Sequence, residues 1–440
     1  MKTKLQIKSK EEYKETELGL LPKDWRVVRL GAIINYNLGR TPARKEKRFW
    51  VNGTVPWVSI ADMREHKIIN NTKEKISEEA LKKLLKNKLS PKGTLLMSFK
   101  LTIGRTAFLG IDAAHNEAII SIYPKDDLDK TFLFYYLPTV NYSKYMDRAV
   151  KGNTLNKSKI EKILVPLPAL PEQRKIAYVL STSQEAKEKT EWTINSLREL
   201  KKAMMKHLFT YGAVSFEDRD KVKLKETDIG KVPKEWEVKK VSELFEVSKK
   251  PRDLKISEKD KVVFIAMENI SDSDKKATYE IKEYSKIPSG VFVLKGDLIV
   301  SKITPCFENG KQAIIDNIPK DYAIATTEVI PLHPKNNQVM SFHLYSYLKI
   351  SDVRDKLISK MEGTTGRKRL SKNVLNNFLI PLPSLAEQQQ IASILSGIDR
   401  RIDAEEKRKD ALEQLFKSLL RDLMSAKIRV KDLRVDVKNG

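Results

Sequence analysis

With 440 residues, 83 Lys+Arg against 58 Asp+Glu and a formal net charge of +25, the chain is long enough for about three domains and carries the charge of a polyanion binder. The single cysteine, Cys306, excludes disulfides and cysteine-based zinc sites. No apolar run approaches the roughly 18 residues of a membrane span, and MKTKLQIKSKEEYKE lacks a signal peptide's apolar core, so a cytoplasmic chain with no membrane partner is expected.

The first segment, TELGLLPKDWRVVRL (Thr16 to Leu30), reads as a turn through Gly19 and Pro22 followed by an indole, Trp25, expected to be buried framework. Four runs follow: VPWVSI (Val55 to Ile60), GTLLMSF (Gly93 to Phe99), TAFLGI (Thr106 to Ile111) and EAIISIYP (Glu117 to Pro124). Each is short, β-branched or aromatic, and bounded by turn residues, which predicts strands. SEEALKKLLKN (Ser77 to Asn87) and FLFYYLPTV (Phe132 to Val140) predict helices between them. The mixture is an α/β or α+β domain.

At Pro166 the character of the chain changes. PLPALPEQRKIAYVLS (Pro166 to Ser181) begins a stretch with no Gly or Pro from Glu172 to Tyr211. Then the chain says the same thing again. TDIGKVPKEWEVKKV (Thr227 to Val241) keeps the Thr, Gly, Pro, Lys, Trp and Val of the first head, with Pro233 and Trp236 in register. The runs KVVFIAM (Lys261 to Met267), GDLIVSKI (Gly296 to Ile303), KQAIIDN (Lys311 to Asn317) and TEVIPLHP (Thr327 to Pro334) predict a second set of strands. PLPSLAEQQQIASILS (Pro381 to Ser396) then matches Pro166 to Ser181 at 10 of 16 positions. A period above 200 residues means two copies of a whole domain with its following segment, not a solenoid.

Both following segments predict long helices. Ile391, Leu395, Ile398, Ile402, Glu405, Lys409, Leu412, Phe416, Leu419 and Leu423 step alternately by four and three, a heptad seam. The equivalent positions of the first copy are Ile176, Leu180, Ser183, Lys187, Thr190, Ile194, Leu197, Lys201, Met204 and Leu208, apolar at both ends and polar between. Pro171 sits in the first turn of one helix, while Ser384 and Glu387 have capping-box spacing in the other. At 1.5 Å per residue each helix is roughly 60 Å long. Two such helices in one chain most simply pair as an antiparallel coiled coil, since an unpaired seam of this length would be a sticky surface.

The ordered set GxxPxxW, LGAIINYNLGRTP (Leu30 to Pro42), FW (Phe49, Trp50), PWVSIADM (Pro56 to Met63), SFKLTIGRTA (Ser98 to Ala107), GNT (Gly152 to Thr154) and PLPALPEQ resembles the specificity subunit of type I restriction-modification systems. The second half carries its own version in VFIAMENI (Val263 to Ile270), GDLIVSK (Gly296 to Lys302), GTTGRKRLSKNVLNNFLIPLP (Gly363 to Pro383) and AEQ (Ala386 to Gln388). The resemblance implies two target-recognition domains of α/β (α+β) fold, each reading half of a split DNA sequence. Residues 1–165 would form the first and 213–380 the second, with connector helices at 166–212 and 381–428 and a tail at 429–440. It further implies a pseudo-twofold coiled coil that spaces the domains and docks two methyltransferase subunits, with two restriction/translocase subunits as a further expected partner. Cofactors would belong to those partners: S-adenosylmethionine for methylation, ATP and Mg for the nuclease.

Base edges and phosphates of double-stranded DNA are read by Arg, Lys, Asn and Thr on loops. In the first domain the candidates are Arg40, Arg44, Lys45, Lys47 and Arg48 beside Trp50; Lys100, Thr102 and Arg105; and Lys151, Asn153, Asn156 and Lys157. In the second they are Lys249, Lys250 and Arg252; Lys302, Thr304, Asn309 and Lys311; and Arg367, Lys368 and Arg369. Each could equally be a solvated surface charge, and a lysine-rich surface also accompanies thermophilic composition. No phosphate loop, HExxH or GxSxG elbow is present, nor an Asn-Pro-Pro-aromatic tetrapeptide, and His66, His115, His207, His333 and His343 lack metal-ligand spacing. Glu117 and Glu328, equivalent in the repeat, are expected to buttress loops rather than to act as acid or base. No metal, no catalytic residue and no cofactor of the chain's own is expected. Two other readings stay open: a coiled-coil architectural nucleic-acid binder without sequence preference, and a single-chain methyltransferase or nuclease with an unfamiliar active site.

Overall fold

A computed structural model describes residues 12–63, 67–146, 155–287, 289–364 and 366–431. The chain divides into two compact units, Met1–Thr190 with Arg408–Gly440, and Glu191–Lys407. These limits cut through both long helices instead of falling between domain and helix, so each unit is one globular domain with part of each helix. His66, Lys151, Asn153, the Gly152 to Thr154 motif and the tail beyond residue 431 lie outside the described residues.

In the first unit the chain opens with a hairpin, Tyr13–Thr16 against Gly19–Pro22, closed by Thr16 donating from Oγ1 to the Gly19 carbonyl at 2.6 Å. Gly19 takes φ +95°, a left-handed conformation that suits glycine. Arg26–Arg29 pairs antiparallel with Leu164–Leu167, which brings the Pro-Leu-Pro end of the domain back to its beginning. Between them lies a five-stranded sheet in the order Ile34–Leu38, Ile119–Pro124, Leu95–Ser98, Thr106–Leu109, Ile68–Ile69, and a three-stranded sheet of Ala114–His115, Val55–Val58 and Glu74–Ile76. Both contain parallel and antiparallel pairs. Ser77 caps the helix Glu78–Leu85 by accepting from Ala80 N, and Asp129 caps Lys130–Tyr136 through Thr131 N and Phe132 N.

The second unit repeats this plan. Its hairpin is Leu224–Thr227 with Gly230–Pro233, and its closing pair is Glu237–Lys240 with Leu379–Leu382. Its sheets run Phe245–Val247, Val329–Pro334, Leu298–Ser301, Gln312–Ile314, and Glu280–Glu283, Lys261–Ile265, Tyr322–Ala325, Val291–Leu294. All eight expected strands form, shortened at their ends. The strands Ile68–Ile69, Glu74–Ile76, Glu280–Glu283, Val291–Leu294 and Tyr322–Ala325 and the helices Ser341–Leu348 and Ser351–Ile358 come in addition.

The long helices run Leu170–Tyr211 and Leu385–Met424. In the first unit Ile176 and Leu180 share one core with Leu423, and Phe416 and Leu419 pack against it. In the second, Leu208 and Met205 share a core with Ile391 and Leu395, and Met204 packs on it. In each unit, then, an early stretch of one helix meets a late stretch of the other, which is antiparallel pairing. Ile194 and Ile402 are buried, whereas Leu197, Ile398 and Leu412 are half-buried, and Ser183, Thr190 and Glu405 put polar groups into the buried seam. The expected capping box forms only by half: Ser384 Oγ accepts from Glu387 N at 3.3 Å, but the Glu387 carboxylate turns to a tryptophan instead of back to the cap.

Candidate nucleic-acid interface

What holds each domain on its helix is a pair of equivalent joints, each built on a tryptophan and a Glu-Gln pair. Trp25 is fully buried and donates from Nε1 to Glu172 Oε2 at 3.1 Å; Trp236 donates to Glu387 Oε2 at 2.8 Å. The next residue completes the joint. Gln173 donates to the carbonyls of Asp127 and Pro168 and accepts from Asp129 N, while Gln388 donates to those of Gln338 and Pro383 and accepts from Met340 N. The Glu-Gln pair that recurs in both Pro-Leu-Pro segments is thus the fastening of helix to domain, a role sequence did not assign. A second link was also missed: Lys67 reaches Ser181 Oγ at 3.4 Å, and Lys275 reaches Ser396 Oγ at 3.3 Å, each ammonium passing over aromatic rings of its domain.

On this framework two loops occupy equivalent places. Ser98 N donates to Arg105 O at 2.9 Å, and Ser301 N to Lys311 O at 3.1 Å, so Phe99–Gly104 and Lys302–Gly310 are loops of six and nine residues leaving the same strand. Each ends on a glycine of positive φ, +85° at Gly104 and +76° at Gly310. A β-carbon at Gly104 would meet the Tyr142 ring at 2.3 Å, so that position needs glycine for space as well as for φ, whereas at Gly310 it would meet only the movable end of Arg354 and φ alone favours glycine. The loop starts are fastened alike: Leu155 N donates to Phe99 O and Leu370 N to Lys302 O.

These bonds bring together residues that sequence proposed separately. In the first domain they set Lys100, Thr102 and Arg105 beside the segment carrying Asn156 and Lys157; Asn156, however, is spent as the cap of Lys157–Glu161, accepting from Lys159 N at 3.0 Å. In the second domain Thr304 N donates to Lys368 O, Lys302 N donates to Glu328 O, and Arg369 donates to the Glu328 carboxylate at 3.1 Å. Burial pushes the Lys302 ammonium below its usual range, with Arg369 and Lys372 acting in the same direction. Thr304 donates to Glu308, and Lys311 to the Met267 carbonyl.

The remaining clusters are partly engaged within the protein. Arg44 lies 3.9 Å over the Trp50 ring and is paired to Glu74, which raises its pKa further. Arg48 pairs with Glu46 at 2.7 Å, and Arg40 donates to the Leu84 carbonyl. Lys45, Lys47, Lys249, Lys250, Arg252, Asn309 and Arg367 are exposed. The repeat-equivalent acids do hold loops: Glu117 accepts from Thr41 and Glu328 from Arg369.

Buried titratable groups elsewhere serve the scaffold. His343 donates from Nε2 to Pro381 O at 2.7 Å, and burial holds it and His115 down to about 4, so both stay neutral. Asp297 joins Ser248 at 2.6 Å to His333 at 2.7 Å, with the carboxylate in the middle, an order that leaves the hydroxyl without an imidazole base. Among the described residues no group of three or more His, Cys, Asp or Glu could hold a metal, and no helix is long and apolar enough to cross a membrane.

Residues 22–198 and 233–414 each match the model of the type I restriction modification DNA specificity domain. The specificity subunit of the type I restriction enzyme MjaVIII from Methanocaldococcus jannaschii is 28% identical over 441 residues, covering 98% of this chain and 99% of that protein. That of MjaIX from the same organism is 26% identical over 442 residues, covering 96% and 98%. The solved S subunit of a type I restriction-modification system from M. genitalium superposes with a TM-score of 0.53 at 15% identity, covering 91% of this chain and 96% of that one. A chain solved in work on complex assembly and conformational transition of the type I R-M system reaches 0.56 at 17% identity, covering 93% and 99%. With its model matched twice over most of the length, the chain belongs to the type I restriction modification DNA specificity domain family.

Proposed function

We propose that this chain is the address-reading subunit of a type I restriction-modification complex, each globular domain reading one half of a bipartite, asymmetric DNA target. The paired helices set the distance between the half-sites and dock two methyltransferase subunits, with restriction/translocase subunits as further partners. Catalysis belongs to those partners, which supply S-adenosylmethionine, ATP and Mg sites, and the place of work is the cytoplasm. The observation that carries the reading is the contrast between the joints, whose tryptophan–glutamate and glutamine bonds repeat, and the loops Phe99–Gly104 and Lys302–Gly310, which differ in length and in side chains. A framework that repeats while its loops diverge suits two different sequences read from one scaffold.

The test is methyl transfer from radiolabelled S-adenosylmethionine to DNA by the chain with its partner methyltransferase. Scrambling either half-site should abolish transfer. Transfer by the chain alone would overturn the non-catalytic reading, and equal binding to scrambled DNA would favour an architectural protein.

A further inference from the structure

The Lys302–Gly310 loop is three residues longer than its counterpart and is closed differently. Lys349, at the end of the helix Ser341–Leu348, donates from Nζ to the Gly310 carbonyl at 2.7 Å and to the Asp272 carbonyl at 2.6 Å. The next residue, Lys311, donates to the Met267 carbonyl at 3.1 Å. Both bonds tie the loop's exit to the segment 267–272. In the first domain the same corner is filled by the neutral Tyr142 ring against Gly104.

We propose that Lys349 is a positioning residue for recognition by the second domain: its ammonium fastens the end of the Lys302–Gly310 loop, so that Lys302, Thr304 and Asn309 meet DNA in one arrangement. The proposal deepens the reading of this domain as a half-site reader and rests on it. Ordering a free loop costs backbone entropy at every residue fixed, and a loop fixed beforehand spares binding that cost. The loop's start is held by Leu370 N on Lys302 O and by Thr304 N on Lys368 O, and its middle by the buried Phe307 ring. Its exit is held by the two lysines, Lys349 at the Gly310 carbonyl and Lys311 at the Met267 carbonyl.

The charges facing Lys349 are Arg354 on the next helix, Lys201 and Asp399 on the long helices and Asp272 on the turn, with the Tyr345 ring 5.5 Å from Nζ. Burial, reinforced by Arg354 and Lys201 and opposed by Asp272 and Asp399, holds its pKa down to about 8. Above that pH the group is a neutral amine, and donors without charge bind roughly half as strongly. The clamp therefore slackens as pH rises, in the second domain only.

The experiment uses the full chain assembled with its methyltransferase partner, as wild type and as Lys349→Met. Discrimination against base changes in the half-site of the second domain should fall about tenfold in the variant, with the other half-site unaffected. Between pH 7 and 9 the wild type should lose discrimination at that half-site, and the variant should show no such step. Independently of DNA, amides of Asn309, Gly310 and Lys311 in the free chain should exchange with solvent about tenfold faster in the variant. Unchanged exchange, or equal loss at both half-sites, overturns the clamp. Faster exchange in the variant, together with a wild-type complex that discriminates neither half-site, leaves the fastening intact and overturns the domain reading, and with it the role in recognition.

Discussion

At the scale of residues, the two joints are alike in their tryptophan and unlike in what completes them. Glu387 serves Trp236 and the Ala213 amide, whereas Glu172 serves Trp25 and the guanidinium of Arg429, which also pairs with Asp24. Arg429 has only 14% of its side chain exposed and Glu172 5%, so this is a buried ion pair. Removing Glu172 leaves Arg429 with only the exposed Asp24 carboxylate and leaves the buried Trp25 indole N–H unpaired, together costing about 3 kcal/mol, while Glu387→Ala leaves neutral donors unpaired at about 1–2 kcal/mol. At 2–4 °C per kcal/mol for units of this size, Glu172→Ala should lower the unfolding midpoint of the first unit by about 10 °C, and Glu387→Ala that of the second by about 5 °C. Calorimetry that found the two equal would show that Arg429 adds nothing. The tryptophans and the Glu-Gln pairs were visible in the sequence because they repeat. Their bonding was not, because each bond spans about 150 residues, and no local pattern records a contact of that range.

At the scale of elements, the long helices were legible to within about four residues at their ends, since a heptad seam and a scarcity of Gly and Pro, with only Pro171 and Gly397 inside them, act locally and add up over forty positions. The short strands and the helix Ser341–Leu348 were not, because two- to four-residue strands are defined by their partners and a helix buried almost all round shows little periodicity, while Ser351–Ile358 buries only Val353 and Leu357, too few positions for a period to stand out. The helices pair through apolar ends and a polar middle: Lys201 with Asp399 and Arg198 with Glu406 at 2.6 Å tie the second unit's portion. Because the pairing is antiparallel, a deletion in one helix alone would shift every later seam residue out of register. Matched deletions of seven residues from the polar middle of both keep the register and shorten the ruler by about 10 Å, close to three base pairs. The preferred spacer between half-sites should shorten by about three base pairs with both half-sites still read. An unchanged spacer would show that the helices do not set it.

At the scale of the whole molecule, the fold was readable from the sequence, whereas the candidate interface was marked there only as clusters of charge. The loop clusters around Lys100–Arg105 and Lys302–Lys311 were marked by composition, but which of their charges are spent inside the protein depends on neighbours distant in sequence: Arg44 on Glu74, Arg48 on Glu46, Arg369 on Glu328. These pairs leave the formal +25 unchanged, since it already counts their carboxylates, but they lower the number of the 83 Lys and Arg side chains free to face DNA. What remains is still enough to decide the salt response. Each phosphate neutralised releases counterions and contributes about −0.9 to the slope of log K against log salt, so six to ten contacts cost roughly 10³- to 10⁵-fold in affinity between 50 and 200 mM. Titrating the assembled complex onto cognate and scrambled duplexes at those two salts should give nearly parallel lines, because phosphate contacts carry no sequence information, with the cognate line displaced upwards by the base contacts. Lys47→Ala, at an exposed position, should flatten both slopes by about one contact and leave their separation unchanged. A salt-independent affinity would mean that the positive surface has another use, and lines that converge at high salt would place the specificity itself in charge pairs rather than in base edges.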